Sequence, residues 1–472
     1  MSFEWKKYTI ADVSKNVVTG KTPPGTLEKY FGGDVLFVTP TDMGDNKYIE
    51  RTQRTLSDEG EAKLAKQRFE CGIVVSCIGW QMGKSAIVKN AAVTNQQINT
   101  IIPNNEIIDV DFLYYTLSDK RTEIFNLGAT ATRTPILKKS LFEKIEFYAP
   151  KLEQQKKIGN ILSCLDDKII NNRKINQTLE QMAQTLFKSW FVDFEPVKAK
   201  IAVLEAGGAQ EDATRAAMTA ISGKDADALA VFKREHPEQY AKLKATAEQF
   251  PSAVQDSELG EIPEGWEVSD IKSSVSELRR GISPKYTDDA DGIMVINQKC
   301  IRNHTINFSL ARRHDGKIRS TSGRELQIGD ILVNSTGVGT LGRLAPVRYK
   351  SEILIADSHV TVVRADTKKI TKSFLSELLT KHEKHIESSG SGSTGQTELR
   401  KETLEEIKFP CPPVILGQLF DEIVNNFNKK ISIMEEQMIA LSNLRDTLLP
   451  KLLSGEITLP EAEQAVSEAE NV

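Results

Sequence analysis

The chain has 472 residues, of which 27% are charged and 39% are hydrophobic, and its formal net charge is −4. These values are typical of a globular protein with two or three cores, and the net charge gives no basic footprint of its own. No apolar run approaches the roughly 20 residues of a membrane span, and the N-terminus lacks a signal-peptide core. The five cysteines include no CxxC pair, so neither a disulfide framework nor a zinc site is expected. A cytoplasmic location without membrane contact is therefore the simplest expectation.

The first 150 residues have the pattern of a mixed α+β domain. Short β-like runs bounded by Gly, Pro, Asn and Asp occur at 35–38, 72–75 and 98–102. A helix is predicted near 109–126, and a loop rich in Gly, Ala and Thr follows it at 127–132. We therefore predict a first globular domain over 1–150.

The hydrophobic period then changes from two residues to about 3.5, which predicts a long helix. Apolar residues recur at three- and four-residue steps at Ile158, Leu162, Leu165, Ile169, Ile175, Leu179, Met182, Leu186 and Trp190. The helix is predicted over 151–195 because Pro150 and Pro196 bound it. At 1.5 Å per residue, 45 residues could reach about 67 Å.

An Ala-rich insert occupies 196–262, with fifteen alanines and with breaks at Gly207-Gly208 and Ser222-Gly223. We interpret it as a partly helical, solvated linker that returns the chain to a second domain. A third functional module is the alternative.

The remainder of the chain repeats the first part. Every position from Asn95 to Phe191 pairs with the position 262 residues later, without a gap. The matched pairs include Phe112 with Phe374, Gly128 with Gly390, Leu137 with Leu399, and Pro150 with Pro412. Upstream the offset is 261, where Trp5 matches Trp266 and Gly20 matches Gly281. The duplication predicts a second domain over 263–412, a second long helix over 413–455, and an acidic tail over 456–472.

The second apolar stripe contains Pro450, which predicts a kink or an end of the helix at that point. Each stripe must be buried, and each half has one. The expected fold class is therefore α+β, with two similar mixed α/β domains joined by two long helices packed as an antiparallel coiled coil, related by a pseudo-two-fold.

Two glycine-rich stretches resemble nucleotide-binding loops but fail on spacing or context. The stretch 79–85 has three residues between its glycines where a P-loop has four, and a β-like run follows it. The stretch 337–342 has the dinucleotide fingerprint, yet Pro346 lies where the next helix would be. Both are interpreted as matched hairpin turns, and Lys84 and Arg343 directly follow the last glycines. These two residues are either solvated turn charges or phosphate contacts.

Several specific strings now support a resemblance that covers nearly the whole chain apart from the insert. They are Ala149-Pro150-Lys151-Leu152-Glu153-Gln154-Gln155, Leu186-Phe187-Lys188-Ser189-Trp190-Phe191, Gly260-Glu261-Ile262-Pro263-Glu264-Gly265-Trp266, and Leu449-Pro450-Lys451-Leu452-Leu453-Ser454-Gly455-Glu456-Ile457. With the duplicated plan, they resemble the DNA-specificity (S) subunits of type I restriction–modification systems. One departure is Pro412-Pro413-Val414-Ile415-Leu416-Gly417-Gln418, which lacks the Glu-Gln pair where the second helix begins.

The resemblance implies a non-catalytic subunit with two target-recognition domains, each of which reads one part of a bipartite asymmetric site in double-stranded DNA. It also implies that the helices act as a spacer and dock two methyltransferase (M) subunits. S-adenosylmethionine is then expected on the M subunits, ATP and Mg²⁺ on the restriction (R) subunits, and no cofactor or metal on this chain. A coiled-coil scaffold and an autonomous DNA-modifying enzyme remain as alternatives, although no catalytic constellation is present in the sequence.

Polar and basic residues on the paired loops are the candidates for DNA contact, because such side chains bind phosphates or base edges. They are Lys21, Thr22, Gln81, Lys84, Arg133, Thr134, Ser283, Lys285, Asn334, Arg343 and Gln396. Large apolar residues of the helices are the candidates for docking of the M subunits. They are Phe187, Trp190, Phe191, Leu449 and Leu452.

Overall fold

A computed structural model describes residues 4–24, 27–44, 46–129, 135–337, 339–390 and 398–470. The chain forms two compact units, and both long helices cross the boundary between them. Unit 1 comprises Met1–Lys174 and Met434–Val472, and unit 2 comprises Ile175–Ile433. Among the described residues, no helix combines the length and the apolarity needed to cross a membrane.

Unit 1 begins with a mixed α/β segment. Its strands are β1 (Lys6–Thr9), β2 (Ser14–Thr19), β3 (Phe31–Val38), β4 (Thr55–Leu56), β5 (Gly72–Ser76), β6 (Ser85–Val88), β7 (Ala92–Thr94), β8 (Ile98–Pro103) and β9 (Glu146–Ala149). Its helices before the first long helix are α1 (Asp58–Lys63), α2 (Val110–Asp119), α3 (Arg121–Gly128) and α4 (Lys139–Phe142). The order β2-β8-β5-β6 gives an antiparallel sheet, β4-β3-β7 forms a second sheet, and β1 pairs with β9. The three β-like runs predicted from the sequence are all strands.

The first long helix, α5 (Leu152–Phe191), leads into four shorter helices. These are α6 (Glu195–Glu205), α7 (Gln210–Ser222), α8 (Ala226–Glu235) and α9 (Pro237–Glu248). Small side chains let these helices pack closely, and Ala217, Met218, Leu229 and Ala247 form a buried cluster. Much of the insert is helical and more than half of its residues are exposed, and this small core was not predicted from the sequence.

The second half of the sequence repeats the layout of the first. Its strands are β10 (Val254–Ser257), β11 (Gly260–Pro263), β12 (Glu267–Asp270), β13 (Val275–Arg280), β14 (Tyr286–Thr287), β15 (Ile293–Ile296), β16 (Ile301–Arg302), β17 (Thr305–Ile306), β18 (Arg312–His314), β19 (Ile331–Asn334), β20 (Leu344–Pro346), β21 (Leu354–Ala356), β22 (Val360–Ala365) and β23 (Lys408–Cys411). Its helices are α10 (Ile271–Ser274), α11 (Lys372–Ser388), α12 (Lys401–Glu405), the second long helix α13 (Val414–Ser454) and α14 (Leu459–Glu470). The sheet β13-β22-β19-β20 repeats β2-β8-β5-β6, and the pair β12-β23 repeats β1-β9.

The long helices run antiparallel, as the sequence predicted. Within unit 1, Leu162 and Leu165 near the start of α5 share a core with Leu448 and Leu452 near the end of α13. Within unit 2, the end of α5 shares a core with the start of α13, where Phe420 is buried. Early residues of one helix therefore face late residues of the other in both units.

The second long helix does not end at Pro450, and it continues to Ser454. Gly455 then adopts φ +74°, a conformation that glycine tolerates at a helix C-terminus. The N–H of Glu456 donates to the carbonyl of Lys451, which closes the last turn. The acidic tail beyond it forms α14, and Ala462 and Val466 on this helix are buried in the core of unit 1.

A cluster of titratable groups contacts α5 and α11 within unit 2. Arg348 ion-pairs with Glu180 of α5 at 2.8 Å, and His304 pairs with Glu383 of α11 at 2.8 Å. Burial raises the pKa of the nearby Glu377 carboxyl from 4.5 to about 7. One of its carboxyl oxygens is buried and has no hydrogen-bond partner within the described residues.

We expect Glu377→Gln to weaken the dependence of stability on pH. A carboxyl whose pKa is raised on folding stabilises the folded state below its unfolded pKa, and that contribution is lost as the pH rises to about 7. At about pH 8 the variant should therefore unfold at a higher urea concentration than the wild type. At about pH 5 the difference between the two urea midpoints should be smaller. Identical urea midpoints for the two proteins at both pH values would show that folding does not raise the pKa of Glu377.

Candidate nucleic-acid interface

Three loops of unit 1 meet at one end of the sheet that contains β5 and β8. The N–H of Lys21 donates to the carbonyl of Thr94 at 2.8 Å, and the Thr22 hydroxyl donates to Gln96 at 2.5 Å. The loop after β2 is thereby joined to the turn between β7 and β8. Lys21 is exposed and Thr22 is partly buried. The two candidates Lys21 and Thr22 therefore lie together on the loop after β2, beside the turn between β7 and β8.

The turn between β5 and β6 lies beside these loops. The N–H of Cys77 donates to the carbonyl of Gln97 at 2.8 Å, and the N–H of Gly79 donates to the carbonyl of Pro135 at 2.9 Å. Pro135 directly follows the segment with the candidates Arg133 and Thr134, which lie outside the described residues. The loops after β2, after β5 and before α4 thus come together, although they are far apart in the sequence.

The turn between β5 and β6 is a hairpin, as predicted, and not a phosphate loop. Gly79 and Gly83 have φ of +86° and +82°, a region that favours glycine. Strand β6 begins at Ser85, so no helix N-terminus follows the turn to bind a phosphate. Gln81 on this turn is exposed, and the partly buried Lys84 lines a cavity of about 340 Å³.

The second half, in unit 2, repeats the arrangement with matching hydrogen bonds. The N–H of Gly281 donates to the carbonyl of Val360, and the N–H of Ser335 donates to the carbonyl of His359, both at 2.9 Å. The N–H of Leu399 donates to the carbonyl of Ser335 at 2.8 Å. The loop after β13, the turn after β19 and the segment before α12 therefore meet as their counterparts do in unit 1.

The candidates of the second half differ in their exposure. Ser283 and Lys285 are exposed, and Arg343 is partly buried at the end of its turn. Asn334 is fully buried, and its side-chain amide donates to the carbonyl of Gln298 at 3.1 Å. The prediction that Asn334 contacts DNA is therefore wrong for this structure, because its side chain supports the turn from inside. Gln396 lies outside the described residues.

The docking candidates also require a correction. Phe187, Trp190 and Phe191 are at most 3% exposed, and they pack with Phe374 and Phe420 in the core of unit 2. They close the core of their own unit and are not surface anchors. Leu452 is buried in the core of unit 1, while Leu449 is partly buried beside that core. The 3.5-residue period identified most of the buried positions of α5, although Ile175 and Met182 of the predicted stripe are exposed, and it could not tell which neighbours cover the buried ones.

A buried polar network lies beneath the unit 1 loops. The Tyr115 hydroxyl on α2 donates to Asp166 of α5 at 2.5 Å, and Arg445 of α13 donates to the other oxygen of this carboxylate at 2.6 Å. Burial raises the pKa of the Tyr115 hydroxyl, so it remains a donor. The same carboxylate, on α5, therefore connects α2 to both long helices within unit 1.

Two further residues belong to these loops and were not selected from the sequence. Trp80, at the tip of the first hairpin, is 79% exposed. His359, in the turn between β21 and β22, is exposed and its Nδ1 lies 2.8 Å from the Thr336 hydroxyl. The sequence does indicate Trp80, because this aromatic residue lies between the two glycines of a predicted turn. The sequence around His359 has no pattern that would indicate a place on these loops.

Gly20→Ala is expected to displace the loop that contains Lys21 and Thr22. A Cβ at Gly20 would overlap the backbone carbonyl oxygens of Thr94 and Asn95, which cannot move without distorting the neighbouring turn. We expect a loss of about 1–3 kcal/mol in the free energy of unfolding, measured by urea denaturation. Gly44→Ala is the matched control, because its Cβ would meet no atom of the described residues within 4 Å. Equal stability of the two variants would contradict this steric explanation.

Comparisons with known proteins agree with the duplicated layout. The family model described as "Type I restriction modification DNA specificity domain" matches twice, over 3–181 and 263–443. The HindI specificity subunit of a type I restriction enzyme from Haemophilus influenzae is 30% identical over 477 residues, covering 96% of this chain and 100% of that protein. The MjaIX specificity subunit from Methanocaldococcus jannaschii is 27% identical over 471 residues, covering 97% of this chain and 94% of that one.

A solved structure is also similar in layout. The S subunit of a type I restriction–modification system from M. genitalium aligns with a TM-score of 0.46 and 16% identity, covering 95% of this chain and 96% of that one. The family model matches most of the chain, and a relative at 30% identity is covered over its full length. The chain belongs to the family of type I restriction–modification DNA specificity subunits.

Proposed function

We propose that the chain selects a bipartite, asymmetric site in double-stranded DNA, and that each half of the chain reads one part of it. The supporting observation is that both halves join the same three loops through matching backbone hydrogen bonds. The side chains on these loops differ between the halves, as at Gln81 and Lys84 compared with Thr340 and Arg343. Different side chains on equivalent loops are what direct reading of two different base sequences requires.

Lys84 and Arg343 test whether the paired turns bind the DNA backbone. If each contacts a phosphate, alanine substitution should weaken binding to all duplexes and lower the salt slope by about one unit per residue. The measurement is the dissociation constant for a target duplex and a scrambled duplex across salt concentrations. A loss confined to certain base pairs would identify a base-reading residue, and unchanged slopes would contradict the phosphate contact.

We further propose that the long helices dock two M subunits, which bind S-adenosylmethionine, and that R subunits supply the chemistry that needs ATP and Mg²⁺. Because the aromatic docking candidates are buried, the docking contacts must come from other side chains. Met182 of α5 and Ile433 of α13 are 48% and 52% exposed, although both are large and apolar. Exposed apolar side chains on a helix can enter a protein interface, where methionine is enriched.

Met182→Glu is expected to reduce co-purification of the methyltransferase by about tenfold or more, because a desolvated charge would oppose docking. The fold should persist because this side chain is half exposed. Gln177→Glu adds the same charge at an exposed position of the same helix and is the matched control. Undiminished co-purification of the Met182→Glu variant would exclude this part of α5 from the docking surface.

We also propose that the chain is not itself a catalyst. Neither glycine-rich turn is followed by a helix N-terminus, and the paired loops bring together no catalytic constellation within the residues that the structure describes. The purified chain, without partner subunits, is expected to neither methylate nor cleave a target duplex. Turnover by the purified chain would favour the alternative of an autonomous DNA-modifying enzyme. Absence of any duplex binding would favour the scaffold alternative.

A further inference from the structure

The indole of Trp80 is placed at the tip of the hairpin between β5 and β6. It is 79% exposed, more than any other large hydrophobic side chain among the described residues. The glycines on either side, Gly79 and Gly83, both adopt positive φ, which makes the turn tight. A side chain of this size has no structural reason to be at the tip of such a turn, because it buries little surface there.

The Trp80 indole packs against helix α3. Its ring is stacked on Phe125 of α3, with 6.3 Å between the centroids and 27° between the planes. Gly83 lies against the backbone and side chain of Arg121, one turn earlier on the same helix, so closely that a Cβ would not fit. The hairpin therefore rests on α3, and the outer face of the indole is presented in a fixed orientation.

Two more apolar side chains extend this surface. Leu127 and Ile136 are 49% and 52% exposed, and the N–H of Ile136 donates to the carbonyl of Gly128 at 3.2 Å. Ile136 also forms a bridge with Ile78, directly before the hairpin tip. We call Trp80, Leu127 and Ile136 the hairpin patch. Large apolar side chains that are exposed on neighbouring segments are a feature of binding surfaces.

The position and charge of the hairpin patch favour DNA over a protein as its occupant. The same hairpin carries the exposed Gln81, and hydrogen bonds connect it to the loops that present Lys21 and Thr22. Arg121 is exposed beside it. An aromatic side chain flanked by basic and amide groups is a combination that contacts bases while its neighbours contact phosphates.

We propose that Trp80 makes an apolar contact with the bases of one half of the target, the half that the first domain reads. This inference rests on the proposed function and adds a specificity-determining residue to it. The contact has two possible sources, a thymine methyl group in the groove or the face of a base at an opened step. The matching turn of the second half, 337–342, contains no aromatic residue. The aromatic contact therefore distinguishes the first half-site from the second.

The test uses the native complex, purified through a tag on this chain, and the duplex identified by mapping its methylation sites. Trp80→Ala is expected to weaken binding of the target roughly 5- to 100-fold, in line with one base–aromatic contact, with Trp80→Phe intermediate. Tyr148→Ala is the matched control, because Tyr148 is an exposed aromatic on β9 of the same unit, away from the loops. It should bind as the wild type does.

Modified duplexes separate the two sources of the contact. If the methyl group is contacted, replacing thymine by uracil in the first half-site should weaken binding of the wild type but not of Trp80→Ala. If a step is opened, 2-aminopurine placed there should brighten with the wild type and not with the variant. Wild-type affinity of Trp80→Ala for the target would overturn the inference, as would loss of the methyltransferase from that variant with unchanged DNA binding. Equal binding of target and scrambled duplexes by the wild type would instead refute the proposed function, and this contact with it.

Discussion

Inserting four residues into each long helix is expected to lengthen the spacer of the recognised DNA site by one or two base pairs, with both half-sequences unchanged. Four residues add about one helical turn, or roughly 6 Å, and a base pair adds about 3.4 Å. The apolar stripe stays nearly in phase, because four residues are close to the 3.6-residue turn. This result follows if the helices set the distance between the two half-sites.

The insertions belong after Lys174 and after Ile433. Within unit 1, Asn172 donates to Gln437, and within unit 2, Asn176 lies 3.5 Å from the carbonyl of Ile431, so these positions are at corresponding levels. Each added base pair rotates one half-site by about 35°, which must be absorbed where the domains join the helices, so reduced activity is expected. Two-residue insertions are the control, because they would turn the stripe away from its partner.

Sequencing the methylated sites in cells that carry each variant measures the spacer directly. An unchanged spacer with retained methylation would refute the role of the helices as a ruler. Altered half-sequences would show instead that the helices shape base recognition.

Trp190→Ala is expected to destabilise unit 2 by about 3–5 kcal/mol. The indole is fully buried, and its ring centroid lies 5.3 Å from that of Phe250 and 6.1 Å from that of Phe420. The substitution would leave a cavity between the end of α5, the start of α13 and the segment that follows α9 within this unit. The indole nitrogen makes no hydrogen bond within the described residues, so the loss is one of packing.

Urea and thermal denaturation measure this effect, and Trp80→Ala is the matched control. Removal of that exposed indole should change the free energy of unfolding by less than about 0.5 kcal/mol. A stable Trp190→Ala variant that no longer binds the methyltransferase would contradict the core assignment and restore Trp190 as a docking residue.

The duplication made most of the fold predictable from the sequence. Matched positions 262 residues apart fall in matched elements, as in β8 with β22 and α5 with α13. The antiparallel pairing also followed, because two long apolar stripes of similar length each needed a partner. The hairpin nature of both glycine-rich turns was predicted from the β-like run and the proline that follow them. These inferences depended on local pattern and on the repeat, both of which a single sequence displays.

The candidate site was predictable only in part, because side-chain exposure depends on distant segments. Asn334 follows an apolar run, as a loop residue would, yet Gln298 from another segment supplies its hydrogen bond and covers it. Trp190 has helical spacing, which indicates burial but does not identify the covering residues as Phe250 and Phe420. The insert lacked a strong apolar pattern because alanines form much of its core. In each case the deciding contact joins residues that are far apart in the chain.

Mapping DNA methylation across the genome, with and without this chain, tests the central claim most directly. The account predicts methylated adenines in one bipartite, asymmetric motif with a fixed spacer, present only in cells that carry the chain. Replacing the hairpin 78–83 should then change the bases of one half of the motif and leave the other half intact. Methylation that is unchanged when the chain is deleted, or a hairpin replacement that alters both halves, would contradict the account.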